Sequence, residues 1–453
     1  MRGGLTAVGV ALLVGLPAQL ITARVAAQAP DTFGLGSRSA SLAGAVTADV
    51  EDGSANYYNP AGLARGGALR LGVGYFAVHH ALAIDDVDSN VDPVRGLVFG
   101  MVVPGEIAGL RFAFGLGGHL NDERLSRFRS IDRGRPRWEF FDNRPHRPFL
   151  AAHVALRPWD WLLVGGGIGF QSTSTTILDI RGSLDLPRPN VDSRLKHSMI
   201  GDLQTIRYPQ LGVQVVPNDT WSFGLVYRGE LDLRNRLFAE GLAGITGLGD
   251  PIPLYVLIET ASVGAFVPQQ ASLGAAFRPT PAVRLSAELT WIDWSDYRSS
   301  IGSSDVILTI DLPPELAGVI DVPDSIASSR PIPAGLHDRF VPRVGAEVSA
   351  IDDEDLGLSF RGGYYYENTP IPEQTGFANL VDADRHVFSI GAGLALRDLE
   401  PLIDGFVTFD AHFQYSFLPE RVTRKSSLVD PAGDYRAGGH IFSGGLTVEV
   451  GFQ

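Results

Sequence analysis

Apolar and polar residues alternate with a period of two along most of the chain from residue 68 onward. The last run places His440, Phe442, Gly444, Leu446, Val448, Val450 and Phe452 on one face, opposite Ser443, Gly445, Thr447, Glu449 and Gly451. Side chains of a strand point alternately to its two faces, so each such run has one apolar and one polar face. Runs of about ten residues with this pattern, separated by turns, indicate strands of a membrane-spanning barrel.

The connections between these runs alternate in length. Short ones are predicted near 103–109, 157–161, 216–220, 278–282, 350–355 and 397–404. Long ones are predicted near 80–93, 121–147, 173–199, 233–265, 298–338, 367–385 and 418–437. Bacterial barrels combine short periplasmic turns with long outer loops and an even number of strands. We therefore predict an all-β fold, a fourteen-stranded antiparallel transmembrane β-barrel over residues 67–453.

The N-terminal part of the chain lacks this alternation. Residues 1–27 have a basic start at Arg2, an apolar stretch and the small residues Val25-Ala26-Ala27, which together predict a secretory signal peptide that is removed. A barrel of fourteen strands encloses more room than the eight whose side chains fill the interior, and less than the 16 to 18 of open porins. We expect residues 28–66, called the hatch below, to form a partly helical plug in the lumen.

Composition narrows the function classes. The chain has 53 glycines, many of them within the strand-like runs, where a soluble sandwich would lose packing. It has no cysteine for disulfides, and beyond the signal no apolar stretch reaches the length of a spanning helix. The formal net charge of -14 argues against a nucleic-acid partner.

Catalysis and metal binding find little support. Asp410, His412 and Ser416 share one face of a predicted strand, but the serine lies two pairs from the histidine, whereas a catalytic triad needs mutual hydrogen-bond reach. The ten histidines show no metal-ligand spacing. We predict no enzymatic activity, no cofactor and no metal site.

Several motifs carry a family resemblance. The most specific is Asn59-Pro60-Ala61 in the hatch; the others are Tyr227-Arg228, Leu289 to Ser295, Pro342 to Gly345 and Asp382 to Arg385. With these motifs in order on a fourteen-strand pattern, the chain resembles the FadL-type outer-membrane transporters of long-chain fatty acids and related hydrophobic compounds (the OMPP1/FadL/TodX family). The resemblance implies a monomer in the bacterial outer membrane, with ligand capture at the outer loops, passage to an inner site, and passive exit sideways beside a kinked third strand.

Two sets of residues are candidates for gating. Asn59 can bond its own backbone ahead of a turn that Pro60 fixes, and Ala61 lets the lumen wall approach, so the three form either a mobile hinge or a static plug turn. Gly117 and Gly118 on the third strand can adopt the backbone angles of a bulge, and a lateral opening at Gly115, Gly117 and Gly118 is expected unless these glycines are placed by chance.

A fatty acid must bury its carboxylate against a charged or multiply hydrogen-bonding partner. The arginines predicted to face the lumen are Arg111, Arg228, Arg284, Arg343 and Arg361. Each can instead pair with a lumen acid such as Glu230, Glu288 or Glu347.

The outer loops differ in character. Loop 121–147 carries Arg124, Arg127, Arg129, Arg133, Arg135, Arg137, Arg144 and Arg147, which suggests contact with lipopolysaccharide phosphates of the outer-membrane lipid, or attraction of anionic ligands. Loop 233–265 is apolar, with Phe238, Leu242, Ile252, Leu254 and Tyr255 as a candidate capture groove or a packed cap. The C-terminal strand, with the aromatic Phe452, resembles the signal for the barrel-assembly machinery.

Two hypotheses of different class follow. The first is passive uptake of hydrophobic small molecules, most simply long-chain fatty acids, with aromatic or aliphatic hydrocarbons as the alternative ligands. The second is a static structural or surface-binding barrel whose plug never moves. Both have the same fold, and they differ in whether a ligand occupies the lumen.

Overall fold

The computed structural model describes residues 29–123, 135–142, 145–185, 194–246, 252–297, 303–310, 325–327, 335–375, 379–397, 399, 401, 404–426 and 430–452. The predicted signal peptide, residues 1–27, lies outside this range. Among the described residues, no helix combines the length and the apolar character needed to cross a membrane.

Short helices precede the first strand, one more short helix lies between β4 and β5, and strands make up most of the rest of the described chain. The helices are α1 Ala29–Phe33, α2 Ser37–Ser41, α3 Ala55–Tyr58, a 3₁₀ helix Pro60–Ala64, and α4 Glu139–Asp142. The strands are β1 Leu69–Ile84, β2 Val87–Asp88, β3 Val94–Ile107, β4 Leu110–Asn121, β5 Phe149–Trp159, β6 Leu162–Asp185, β7 Arg194–Val215, β8 Trp221–Arg228, β9 Leu231–Thr246, β10 Ile252–Val267, β11 Gln270–Thr280, β12 Val283–Ile292, β13 Ser303–Ile310, β14 Ser325–Ala327, β15 Arg339–Asp352, β16 Leu356–Glu367, β17 Arg385–Leu396, β18 Gly405–Thr423 and β19 Tyr435–Phe452.

Fourteen of the described strands close into one antiparallel barrel. The ladder runs through β1, β3, β4, β5, β6, β7, β8, β11, β12, β15, β16, β17, β18 and β19. It closes where β1 pairs with β19, from Leu69 opposite Phe452 to Ile84 opposite Ala437. Closure satisfies the backbone hydrogen bonds of both edges, as a sheet in lipid requires. The predicted fourteen-stranded fold is confirmed.

The short connections lie where the pattern predicted them, and three of them, including the one that joins β3 to β4, have only two residues. Ala108 and Gly109 form this turn with φ of 52° and 82°. Two consecutive left-handed residues match the twist of the flanking strands in a two-residue hairpin, and glycine adopts that conformation without steric cost.

Two of the predicted long loops are instead strand for most of their length. Strands β6 and β7 pair from Leu162 opposite Val215 to Ser183 opposite Arg194, which covers most of 173–199. The segment 233–265 forms the β9–β10 hairpin, and β9 runs parallel to β6. The prediction ended these strands where the regular alternation of apolar and polar residues ends. A ladder that continues beyond the membrane does not need this alternation, so the pattern underestimates its length.

The outward and inward faces differ as the alternation predicts. Along β8 the exposed residues Trp221, Phe223, Leu225 and Tyr227 alternate with buried ones. Leu225 is 52% exposed, whereas Ser222 is fully buried. An apolar band therefore faces outward, and the polar face is covered by material inside the barrel.

Candidate functional site

The hatch fills the barrel lumen and rests against glycines of the wall. A Cβ added to Gly212 would lie 2.0 Å from Asn59 Oδ1, and one added to Gly165 would lie 2.5 Å from the backbone nitrogen of Ala61. Carbon contacts are normally about 3.5–4.0 Å, so only glycine fits at this approach. Seven further wall glycines have hatch atoms within 3.0 Å of such a Cβ; with Gly165 and Gly212 they form the glycine belt: Gly100, Gly115, Gly117, Gly224, Gly345, Gly363 and Gly391.

Asn59 forms hydrogen bonds both to the barrel wall and to other residues of the hatch. Its Nδ2 donates to the carbonyl of Thr47 at 2.8 Å and to that of Val213, on β7, at 3.0 Å. Its Oδ1 accepts from the backbone N–H of Ala61 at 3.1 Å and so caps the 3₁₀ helix, with Pro60 in the first turn. Asn59 is fully buried. The sequence predicted the local turn, and the bond to the wall adds an anchor that the motif alone did not reveal.

Asn59→Ala should loosen the hatch. The substitution removes a cap worth about 1 kcal/mol and takes a donor from the buried carbonyl of Thr47 and the partly buried carbonyl of Val213, so we expect a loss of about 2–4 kcal/mol in the free energy of unfolding. Thermal unfolding measures the loss, and trypsin cleavage at Arg38 and Arg65 reports release of the hatch.

Asn218→Ala is the matched control. Asn218 caps the N–H groups of Thr220 and Trp221 in the same manner, but in an exposed turn. Its loss should cost no more than about 1 kcal/mol. Equal effects of the two substitutions would contradict the anchoring role of Asn59.

The third barrel strand, β4, runs without a bulge at its glycines. Gly117 pairs with Gly100 on one side and Ala151 on the other, and the register of both ladders continues through Gly118. The bulge considered at Gly117 and Gly118 is therefore absent from these ladders. Gly115 and Gly117 face Asn56 of the hatch, whereas Gly118 lies beside the ring of Phe99. A lateral opening at these three glycines stays a prediction.

Four of the five candidate arginines are ion-paired. Arg228 pairs with Asp31 at 2.8 Å, and Arg284 forms two bonds to Asp49. Both acids belong to the hatch, and the sequence analysis did not identify them.

The two remaining pairs differ in setting. Arg361 pairs with Glu347 and Asp410 on the lumen face. Arg111 pairs with Asp160 at 3.4 Å at an exposed turn, away from the hatch. Of the acids predicted as partners, Glu347 has that role, whereas Glu288 accepts from the backbone N–H of Thr47 at 3.0 Å.

Arg343 differs from the other candidates. Within the described part of the chain it has no acidic group at salt-bridge distance. Its Nη1 donates to the carbonyl of Ala43 at 3.0 Å, and its guanidinium lies 4.3 Å from the centre of the Tyr365 ring. Ala43 has a φ of 57°, in the left-handed region that residues other than glycine seldom adopt. Arg343 therefore holds a hatch turn whose conformation is unfavourable in itself.

Cavities lie beside the hatch in the described part of the chain. One of about 60 Å³ lies beside Arg343, Tyr58, Glu288 and Gln414. Another, of about 290 Å³, lies toward the end of the barrel with the short turns, and its lining includes ten charged side chains: Arg38, Glu51, Asp52, Arg70, Glu347, Asp352, Arg361, Arg397, Asp410 and Glu449. Many charged groups therefore face the space on this side of the hatch.

An aromatic cap covers the hatch toward the end with the long connections. We define the cap as residues 137–142, which include α4. Its Phe140 ring lies 4.9 Å from that of Trp294, and Trp138 Nε1 donates to Ser89 at 3.1 Å. The cap was not predicted from the sequence, because the interpretation of this loop relied on its arginines and not on its aromatic residues.

The basic loop is not a uniform surface patch. Arg147 is buried, and Arg137 pairs with Glu139 at 2.8 Å, whereas Arg135 is exposed. Burial removes Arg147 from the predicted lipopolysaccharide contact, whereas Arg137 is half-buried and paired with Glu139. Other arginines of that prediction lie outside the described residues: Arg124, Arg127, Arg129, Arg133 and Arg144.

The predicted capture residues lie on two strands. Phe238 and Leu242 are in β9, and Ile252, Leu254 and Tyr255 are in β10. Their side chains lie outside the described part of the structure, so a capture role stays a prediction.

The residues considered for hydrolysis do not form a triad. Asp410 is paired with Arg361, and neither ring nitrogen of His412 bonds to Asp410 or Ser416 among the described contacts. No cluster of metal-ligating side chains occurs within the described ranges.

The fold of this chain is similar to that of several proteins of known structure. Three solved structures share the fold: a Pseudomonas aeruginosa FadL homologue (18% identity, TM-score 0.52, 95% of this chain and 99% of that one), the CymD monoaromatic hydrocarbon channel (14%, 0.54, 92% and 98%) and the Pseudomonas putida toluene transporter TodX (15%, 0.52, 93% and 99%). No curated protein matches the chain in sequence. The family model described as outer membrane protein transport protein (OMPP1/FadL/TodX) matches residues 149–443. The chain therefore belongs to the OMPP1/FadL/TodX family of outer-membrane transport proteins.

Proposed function

We propose that this family channel for hydrophobic compounds takes up long-chain fatty acids, and that the carboxylate binds Arg343. The observation that carries the proposal is the bonding of Arg343: among the five candidate arginines, it alone has no acid within salt-bridge distance in the described structure. A half-buried guanidinium whose only hydrogen bond is to a neutral carbonyl gains a charge-assisted pair when a carboxylate arrives.

The same contact suggests how binding moves the hatch. A carboxylate that takes the Nη1 donor of Arg343 competes with the carbonyl of Ala43. The turn at Ala43 then loses the bond that opposes its unfavourable backbone conformation. Ligand binding and release of the hatch turn are thus linked through one guanidinium.

The size of the inner cavity supports hatch movement. Its volume of about 60 Å³ is well below the ~150 Å³ of a cavity that accepts benzene. A fatty acid chain, or an aromatic hydrocarbon, therefore requires the hatch to shift. Asn59, Pro60 and Ala61 lie where such a shift would pivot, because the bond of Asn59 to β7 fixes this turn to the wall.

The polar cavity supports sideways exit. An apolar chain that continued past the hatch would enter a space lined by charged groups such as Arg70 and Glu449. Transfer of apolar surface into such a space forfeits about 25 cal/mol per Å² relative to lipid. Exit into the membrane avoids this cost.

Uptake by cells that produce Arg343→Met tests the proposal. A charged hydrogen bond contributes about 1.5–3 kcal/mol, and 1.4 kcal/mol is a factor of ten, so the apparent affinity for a long-chain fatty acid should fall about 10- to 100-fold. Uptake of toluene should not fall, because toluene has no carboxylate and the substitution removes a bond that holds the hatch turn. Arg343→Lys should restore part of the fatty acid uptake.

Arg111→Met is the control, since Arg111 pairs with Asp160 at an exposed turn. It should leave uptake of both ligands unchanged. Unaltered fatty acid uptake by Arg343→Met would refute the carboxylate site. An equal loss with both ligands would refute it as well, and would assign Arg343 to hatch packing alone.

A further inference from the structure

Three parts of the molecule meet at Arg385, the first residue of β17. Its guanidinium pairs with Glu367 of the barrel wall and donates through Nη1 to the carbonyl of Thr32, in α1 of the hatch, at 3.2 Å. The same guanidinium lies 5.8 Å from the ring centre of Phe141 in the cap. Arg385 is buried, so these contacts are shielded from water. One side chain thus touches wall, hatch and cap.

The contact with Thr32 continues to the gating turn. Asp31, next to Thr32, accepts from the hydroxyl of Tyr57 at 2.9 Å and from Arg228 at 2.8 Å. Tyr57 belongs to α3, which ends directly before Asn59. A displacement of α1 is therefore passed through Asp31 and Tyr57 toward the bond between Asn59 and β7.

The cap is tied to Arg385 from the other side. The N–H of Arg137 donates to the carbonyl of Asn379 at 3.2 Å, and the N–H of Val381 donates to the carbonyl of Arg137 at 2.8 Å. The loop that carries Asn379 and Val381 leads directly into Arg385. Movement of the cap therefore pulls on the segment that holds this arginine.

The space between cap and hatch leaves little room for independent motion. The cavity lined by Thr32, Phe140, Phe141 and Arg385 measures about 20 Å³, close to the least volume that holds one water molecule. Neither part can move toward the other unless Arg385 changes its contacts.

We propose that Arg385 is a positioning residue that couples the cap to the hatch, so that opening of the cap releases the hatch and ordering of the hatch closes the cap. Arrival of a hydrophobic molecule at the mouth displaces Phe141, which frees Arg385 from its hold on Thr32. The coupling is reciprocal, as any linkage between two sites must be. This inference rests on the hatch movement of the proposed function, but it requires no particular ligand.

A reversible lock on the cap tests the coupling. Arg137 and Leu380 face each other in a parallel bridge, which brings paired residues close together, and the chain has no cysteine, so R137C with L380C supplies a single disulfide. Hydrogen exchange of hatch residues 37–47 is measured by mass spectrometry in the oxidised and reduced forms. We expect oxidation to slow this exchange about fivefold or more, the lower end of typical coupling between sites.

Arg385→Met in the same background should abolish the difference between oxidised and reduced forms. Arg397→Met, which removes an exposed arginine paired with Asp352, should preserve it. If Arg385→Met does not fold, Arg385→Lys keeps the charge and loses the forked geometry, and should reduce the difference. An effect of oxidation that persists without Arg385, or is absent with it, would overturn the proposal. Because exchange is read without ligand, failure of the fatty acid assignment leaves this result intact.

Discussion

Gly212→Val is expected to expel the hatch from the barrel while the barrel itself still closes. The first atom of the new side chain would lie 2.0 Å from Asn59 Oδ1 and 2.9 Å from Pro60 Cδ. Neither neighbour can yield freely, because Asn59 is bonded on both sides and Pro60 has a fixed ring. Overpacking costs about 1–3 kcal/mol, and loss of the Asn59 anchor adds about 1–3 kcal/mol more.

Two measurements check this result. Trypsin should cleave at Arg38 and Arg65 in folded protein that still resists unfolding in detergent. Ion conductance across a planar bilayer should rise, because a fourteen-stranded barrel without its plug encloses an aqueous channel. Gly67→Val is the control, since an added Cβ there meets no atom within 4 Å. Closed, protease-resistant Gly212→Val would contradict the idea that the glycine belt seats the hatch.

The glycine belt shows what alternation predicts and what it omits. The period of two correctly assigned Gly212 and Gly345 to strands, because neighbouring side chains fix the two faces. It could not show that the hatch approaches these positions. That approach joins residues far apart in the sequence, such as Asn59 and Gly212, and no local pattern records it.

In the candidate site too, local features can be predicted from the sequence, whereas contacts between distant residues cannot. The turn at Asn59-Pro60-Ala61 depends on local chemistry, and the structure has the backbone bond that the sequence predicted. The partners of Arg228 and Arg284 are acids nearly 200 or more positions away in the hatch, whereas the strand pattern points only to acids of the wall. The alternation along the strands predicts that Arg228 and Arg284 face the lumen, but it does not identify their partners.

Asp49→Ala is expected to be the most destabilising single change in the hatch. The side chain of Asp49 is 0% exposed and accepts two bonds from Arg284, with Arg278 at 2.9 Å as a second partner. Without Asp49, Arg284 stays buried with only neutral contacts, at Ala45 and Ser286. Breaking a buried pair in this way costs about 3–5 kcal/mol, because a charge remains without compensation.

The exposed pair of Arg111 and Asp160 provides the control. Asp160→Ala removes a carboxylate that is 87% exposed, so its loss should cost less than about 1 kcal/mol. Chemical unfolding of both variants measures the difference. A loss of less than about 1 kcal/mol for Asp49→Ala would show that the hatch is held by packing rather than by charge.

The double substitution Asp49→Leu with Arg284→Met separates the pair from its surroundings. It removes both charges, and replacement of a buried ion pair by apolar residues is often neutral, so we expect recovery of most of the stability lost in Asp49→Ala.

A low pH should destabilise the hatch in the same direction as the single substitution Asp49→Ala. Burial raises the pKa of Asp49, but the attraction of Arg284 outweighs it and leaves the pKa below its ordinary value. The contribution of Asp49 is therefore complete above the unfolded pKa of about 3.9 and disappears as the pH falls further. Release of the hatch, detected by chemical labelling of the exposed hatch instead of by trypsin cleavage, should accordingly begin only below about pH 4 in the native chain. This acid-dependent step should be absent from the double variant.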